Sequence, residues 1–473
     1  SFKNYLFLRL SLYQYLYKIV CYFGSWAVYR ENAGKFMIDD IDPKLCTHII
    51  YTFVGLNSGG TIRILDPWQD LPDNYGKNGF GRFNNLRKNN TDIKTMVAIG
   101  GWNEGSVKYS NVVANPTLRA KFVNSVVEFL KKYGFDGFDV DWEYPNQRGG
   151  KPVDKENYIS LLKELREKFD QHGYILSAAV SAAATSARQS YIIPEMCKYL
   201  NFINLMTYDL HGSWESTIGL NSPLYAKKGA SANNAQFTVD ASVKYWLSQG
   251  APPEKLILGV PFYGRSFTLK NPQQHDIGSP SIGAGTAGPY TKEPGMLGYN
   301  EICTQLKNGK WTIVYDNEQR APYAYKDNQW VGSLKEKAEY AKANGLGGAM
   351  LWSIETDDFH GACGEKYPLL KILNNVLRNG PPITSTTTTP TKTTTSITPT
   401  KTTTPTDITK PTTPPSKDIC QREGYVRDPN DCSKFYYCLR VNGHYVVSKF
   451  QCPEGTVFDP TILSCNYRNA VRC

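Results

Sequence analysis

Asp136, Asp139, Asp141 and Glu143 fall within residues 133–145, YGFDGFDVDWEYP, in an otherwise apolar and aromatic run. Phe138, Val140 and Trp142 alternate with Asp139, Asp141 and Glu143, which is the period of a β-strand. In a strand the last three acids share one face, and Glu143 ends the row. Like charges a few ångströms apart in a dry site cannot all stay ionised. Such a strand keeps one carboxyl group protonated at neutral pH, and a general acid needs that. Two plainer readings compete with this one. A solvated edge strand would show its acids to water, but Phe138, Val140, Trp142 and Gly137 fit a central strand. Clustered carboxylates also hold divalent cations. Here the neighbours Trp142 and Tyr144 are aromatic, and no second acidic cluster or histidine pair accompanies the run. The expected chemistry is acid–base, with no metal and no cofactor.

An acid-bearing strand needs a scaffold that buries it. Short apolar runs recur at 19–23, 48–53, 95–99, 137–142, 175–181, 202–208, 256–261 and 348–354. Amphipathic stretches lie between them. Residues 116–133 place Leu118, Phe122, Val126, Phe129 and Leu130 at helical spacing, and 155–172 repeat this with Tyr158, Leu161, Leu162, Leu165 and Phe169. Buried strands alternating with helices predict an α/β fold, a (β/α)8 TIM barrel whose chemistry sits at the strand C-terminal ends. Trp26, Trp102, Glu143, Tyr208 with Asp209, Tyr263 with Arg265, and Trp352 stand at those ends. The interval 266–329, rich in Gly, Pro and Tyr, is too long for a barrel loop and predicts a small insertion domain.

Residues 136–143 match the DxxDxDxE signature of glycoside hydrolase family 18 chitinases, Tyr144 extends the match, and similarity runs over about 18–378. The resemblance implies a catalytic barrel over 18–378 with an α+β insertion walling a sugar groove. It implies that Glu143 is the acid and base, that Asp141 orients the substrate's acetamido group, and that Asp139 shares a proton with Asp141. Asp136 is read as structural. Tyr208, in MTYD, matches a tyrosine that bonds the acetamido oxygen, and Asp209 supports the same subsite. Trp352 matches the floor of the central subsite. Tyr22, Trp26, Phe53, Gly101, Trp102, Tyr144, Met206, Trp214, Tyr263, Arg265 and Met296 match groove positions. Chitin and chitooligosaccharides are the expected partners, with retention of configuration at the cleaved bond. A chitinase-like lectin on the same barrel and an endo-N-acetylglucosaminidase acting on N-glycans are the competing functions.

The chain has 473 residues, enough for such a barrel and an accessory module. Its net charge of +10 is spread out, with no arginine-rich tract or nucleic-acid motif, so it reads as solubility. No apolar run reaches membrane-span length. Residues 1–17 are expected to be a partial signal peptide, a propeptide or an artefact, outside the fold. Residues 379–417 form a Thr/Pro-rich linker, with TPTKTTT at 389–395 and again at 398–404, that cannot bury a core and is expected to be disordered. Six of the eleven cysteines then crowd into 418–473, a small disulfide module expected in an oxidising compartment. Its spacing and SKFYYC stretch resemble a peritrophin-A type chitin-binding domain. That resemblance implies pairs Cys420–Cys438, Cys432–Cys473 and Cys452–Cys465, with Phe435, Tyr436 and Tyr437 as candidate sugar contacts. Alternation puts Tyr436 on the face opposite Phe435 and Tyr437. Family resemblance likewise implies Cys21–Cys46 and Cys303–Cys363, leaving Cys197 unpaired. Asn89 heads the one usable N-glycosylation sequon. A secreted monomer similar to insect and mite chitinases, some of them allergens, is expected.

Overall fold

Eight strands, apolar on both faces, close into a parallel barrel in this computed structural model. It describes residues 17–332 and 337–379 and, further on, 420, 424–441, 444–452, 456–460, 464–468 and 471. The expectations for residues 1–16 and for the Thr/Pro-rich stretch 380–419 lie outside the described residues. The chain divides into two units, 1–386 and 387–473.

The barrel strands are Lys18–Gly24, His48–Asn57, Lys94–Gly100, Gly137–Asp141, Ile175–Ser181, Phe202–Met206, Leu256–Pro261 and Gly348–Trp352. Each pairs in parallel with the next, and the first strand closes the ring by pairing with both the second and the last. Alternation sends one side-chain set inward and the other toward the helices. Val20, Ile50, Met96, Phe202, Ile257 and Met350 fill the interior. Phe138, Val140 and Trp142 pack outward with the helices.

The helix Pro116–Tyr133 begins where Asn115 Oδ1 accepts from the N–H groups of Thr117 and Leu118, at 3.0 and 3.2 Å, with Pro116 as its first residue. It stops at Gly134, whose φ of 79° suits glycine. Phe122, Val126, Phe129 and Leu130 are its buried face, each worth about 2–3 kcal/mol of hydrophobic burial. The next helix, Asp154–Asp170, buries Tyr158, Leu161, Leu162, Leu165 and Phe169 in the same way.

The insertion is a six-stranded antiparallel sheet carrying one helix, Tyr299–Asn308. It begins at Tyr263 and ends at Gly332, wider than the expected 266–329. Its first strand follows the seventh barrel strand after one residue, Phe262, so no composition change marks the border. Cys21–Cys46 and Cys303–Cys363 are bonded, and Cys197 is a buried free thiol. Among the described residues no helix is long and apolar enough to cross a membrane.

Candidate active site

The strand Gly137–Asp141 lies between Lys94–Gly100 and Ile175–Ser181, with Asp139 level with Ala98 and Ser177 and Asp141 level with Gly100. These small neighbours leave room for carboxyl groups inside the barrel. Gly100 has φ 113°, and a Cβ there would stand 2.1 Å from the Asp141 carbonyl oxygen, so only glycine allows this approach. Asp139 is fully buried and accepts from Tyr22 Oη at 2.7 Å, Ser177 Oγ at 2.6 Å and Asn204 Nδ2 at 3.2 Å. Burial lifts its carboxyl to about 6, while these three donors hold it down. Asp141 is buried with Oδ1 unpartnered; burial, then Glu143, then Asp139 push it well above the usual carboxylate range. Glu143 stands just past the strand end, half-buried. Burial raises it to about 7, Tyr144 and Arg148 opposing and Asp209 adding to the rise. Three carboxyls with raised proton affinity hold a proton at neutral pH. Asp136 lies at the other end of the strand, bound to Arg87 Nη1 and the Thr95 N–H, each at 2.8 Å.

Across the barrel mouth, Tyr208 follows the sixth strand, its ring against the backbone of Gly259. Asp209 Oδ1 accepts from Tyr263 Oη and Arg265 Nε, both at 2.7 Å, tying the strand end to the insertion. Trp352, Phe53 and Trp26 group beside them. Trp352 and Phe53 have centroids 5.8 Å apart, and Trp26 stacks on Phe53 at 6.2 Å. Gly101, with φ 80°, leaves space for the Phe53 ring. Trp26, Trp102 and Trp214 are exposed at 40, 59 and 60 %, far more than core tryptophans are. Arg265 covers Trp214 at 5.3 Å, and Met296 pairs with Arg265 in the insertion sheet. Met206 and Tyr208 pack on the barrel's inner cluster. The result is an aromatic-floored mouth with a proton-holding carboxylate row beneath.

The family Glycosyl hydrolases family 18 matches residues 18–357. The chain belongs to glycosyl hydrolase family 18. Family members similar to it include the endochitinase of Manduca sexta, 43 % identical over 79 % of this chain and 70 % of that protein. The crystal structure of Ostrinia furnacalis Group IV chitinase superposes with TM-score 0.74 and 48 % identity, covering 76 % of this chain and 99 % of that one. Human YKL-39, described as a pseudo-chitinase with retained chitooligosaccharide binding, superposes at TM-score 0.70 and 37 % identity, over 76 % of this chain and 99 % of its own. A Chitin binding Peritrophin-A domain matches residues 420–473.

Within this family 18 site one expectation changes. Tyr22 is 1 % exposed and turns its hydroxyl under Asp139, so it supports the carboxylate row and offers the groove no free face. Asp139 and Asp141 stand two residues apart on the inner face of the strand, and the charge of Asp139 adds to the proton affinity of Asp141. Tyr144 is half-buried beside Glu143. Several contributors escaped the sequence reading. Ser177 and Asn204 are polar residues inside apolar strands, the one signal that could have found them. Tyr29, on the short helix that carries Trp26, and Trp68, on the helix Pro67–Asp70, are exposed and stack at 6.3 Å.

Arg148 was also missed. Its guanidinium lies 3.6 Å from the Trp102 ring centroid and donates to the carbonyls of Trp102 and Glu143 at 2.7 and 3.1 Å. Its charge lowers the proton affinity of Glu143. Arg148→Gln therefore raises that affinity, and the basic limb of kcat/KM moves to higher pH by up to about one unit. A pH–rate profile measures this; an unmoved limb would confine Arg148 to holding Trp102.

The C-terminal unit has a three-stranded antiparallel sheet, Gly424–Arg427, Lys434–Val441 and His444–Gln451, and a hairpin of Thr456–Asp459 with Ser464–Tyr467. Tyr436 is buried against the Cys420–Cys438 bridge and donates to Asp428 Oδ2 at 2.5 Å, so it packs inward and is not a sugar contact. Phe435, on the other face, stacks on Phe458 at 4.3 Å. The Tyr437 side chain lies outside the described residues. Cys432 is a free thiol among the described residues, and its expected partner, Cys473, lies outside them. Cys452 is disulfide-bonded, and the side chain of its expected partner, Cys465, is also outside them.

Proposed function

We propose that this chain is a secreted chitinase that cleaves β-1,4 bonds between N-acetylglucosamine units with retention, the substrate's acetamido oxygen serving as nucleophile. The observation that carries the reading is the placement of the carboxyls. Most retaining glycosidases set two carboxyl groups on opposite sides of the bond, whereas family 18 enzymes are substrate-assisted. Here Asp139, Asp141 and Glu143 come from one strand and its end, and Asp209 is engaged by Tyr263 and Arg265. A sugar that brings its own nucleophile needs no facing carboxylate.

Glu143, raised to about 7 by burial, donates its proton to the glycosidic oxygen as the C1–O bond breaks. The acetamido oxygen closes on C1 and forms an oxazolinium ion. Asp141 accepts the acetamido N–H and offsets the ion's positive charge, while Tyr208 donates to the acetamido oxygen. Glu143, now a carboxylate, takes a proton from water as it attacks C1. Two inversions retain configuration. The aromatic floor of Trp352, with Trp26 and Phe53 beside it, suits the apolar faces of neutral sugars. The 420–473 module, joined through the Thr/Pro-rich stretch, raises the barrel's effective concentration at an insoluble surface. The disulfides and the exposed sequon at Asn89 support secretion.

A lectin function is disfavoured because Glu143, Asp141, Asp139 and Tyr208 are all present. Assay on soluble chitooligosaccharides beside an N-glycosylated protein tests the proposal. Turnover of the oligosaccharides alone is expected. Binding without turnover would make the protein a lectin, and release of the glycan would make it an endo-N-acetylglucosaminidase.

A further inference from the structure

Lys337 is a buried amine with no part in the chemistry above. It lies on the helix Lys337–Ala343, between the insertion and the last barrel strand, and is 4 % exposed. Among the described residues no carboxylate pairs with it; its Nζ donates to Ser222 Oγ. Burying an unpaired ammonium is costly, and burial pushes this amine well below the ordinary lysine range. An apolar side chain of similar length would avoid that cost, so the contact it makes calls for an explanation.

That contact leads to the reacting centre. Ser222 Oγ donates in turn to the Thr207 carbonyl, one residue before Tyr208. Its neighbour Asn221 holds the same turn: Oδ1 accepts the Asp209 N–H at 2.8 Å, and Nδ2 donates to the Tyr263 carbonyl at 3.1 Å. From the other side Thr207 Oγ1 donates to the Gly259 carbonyl at 2.6 Å. The Tyr208 ring lies against Gly259, where an added Cβ would come within 3.0 Å of Tyr208 Cε1. Residues 207–209 are thus held between the seventh barrel strand and the 221–222 segment, and Lys337 grips that segment from behind.

We propose that Lys337 is a positioning residue for Tyr208, fixing the Thr207 carbonyl through Ser222 and so aiming the Tyr208 hydroxyl at the acetamido oxygen. This rests on the role given to Tyr208 above. A hydroxyl displaced by a fraction of an ångström still permits binding but stabilises the transition state less.

The test uses Lys337→Met and Ser222→Ala in the full chain, each alone and combined with Tyr208→Phe. Steady-state kinetics on a chitooligosaccharide and thermal unfolding are measured for all. Each single variant is expected to lose about tenfold in kcat with KM within about twofold, and Lys337→Met to melt no lower than wild type. With Tyr208→Phe present the further loss should shrink to less than about twofold, because the group being aimed is gone. Wild-type kcat in Lys337→Met, or an undiminished loss in the Tyr208→Phe background, overturns the positioning role. If Lys337→Met does not fold, Ser222→Ala carries the same comparison with the same outcomes. Should Tyr208→Phe itself turn over like wild type, the role of Tyr208 fails and this proposal fails with it. A Tyr208-dependent wild type with a silent Lys337→Met removes the positioning alone.

Discussion

Glu143→Gln is expected to lower kcat on chitooligosaccharides by about 10²–10⁴-fold while changing affinity only a few-fold. Glutamine keeps the shape of the side chain and its place past the strand Gly137–Asp141, but it has no proton to donate to the leaving oxygen. Kinetics and ligand titration on the same preparation separate the two quantities. A variant turning over near the wild-type rate would reassign the acid. The substitution also has a signed effect on stability. The Glu143 carboxyl binds its proton more tightly when folded, at about 7, than in the unfolded chain. Its contribution to stability is therefore present at pH below the unfolded carboxyl range and is lost as pH rises through about 7. Glutamine does not ionise. The variant should gain in melting temperature relative to wild type above about pH 7, and the gain should shrink toward about pH 5.

Asp141→Asn is expected to cost about 10²–10³-fold in kcat, the range found when a group aimed at transition-state charge is removed. Asp141 Oδ1 is buried and unpartnered, so nothing in the protein competes for it. Asparagine is nearly isosteric there, but it cannot carry the charge that faces the oxazolinium ion. The loss should fall on kcat, because the ion does not exist in the bound ground state. Kinetics on a soluble oligosaccharide measure it. A loss confined to KM would make Asp141 a binding group only.

The barrel was legible in the chain because its strands are buried on both faces and read as short apolar runs between turn signals. All eight expected runs became strands, with ends shifting by a few residues. The acids stood out because Asp139 and Asp141 interrupt that apolar pattern at positions opposite in phase to the outward-packed Phe138 and Val140. The insertion's edges were not legible, since the chain passes from Pro261 to Tyr263 with one residue between two strands.

What the sequence could not convey is who meets whom. Tyr22 lies 117 residues from Asp139, and Lys337 lies 115 from Ser222. Tyr22 matches a groove position by resemblance, yet it is buried inside the barrel and its hydroxyl serves a carboxylate. The turn after Glu143 folds Arg148 over Trp102, a contact between residues 46 apart in the chain. In the C-terminal module alternation separated Tyr436 from Phe435 and Tyr437, and tertiary packing then chose Tyr436 as the inward ring.

The central claim is that the substrate's acetamido group is the nucleophile. Hydrolysis of partly deacetylated chitosan, with the new reducing ends identified by mass spectrometry, tests it most directly. Only units bearing the acetamido group can close on their own C1, so N-acetylglucosamine is predicted at essentially every new reducing end. Frequent glucosamine at those ends would contradict the account.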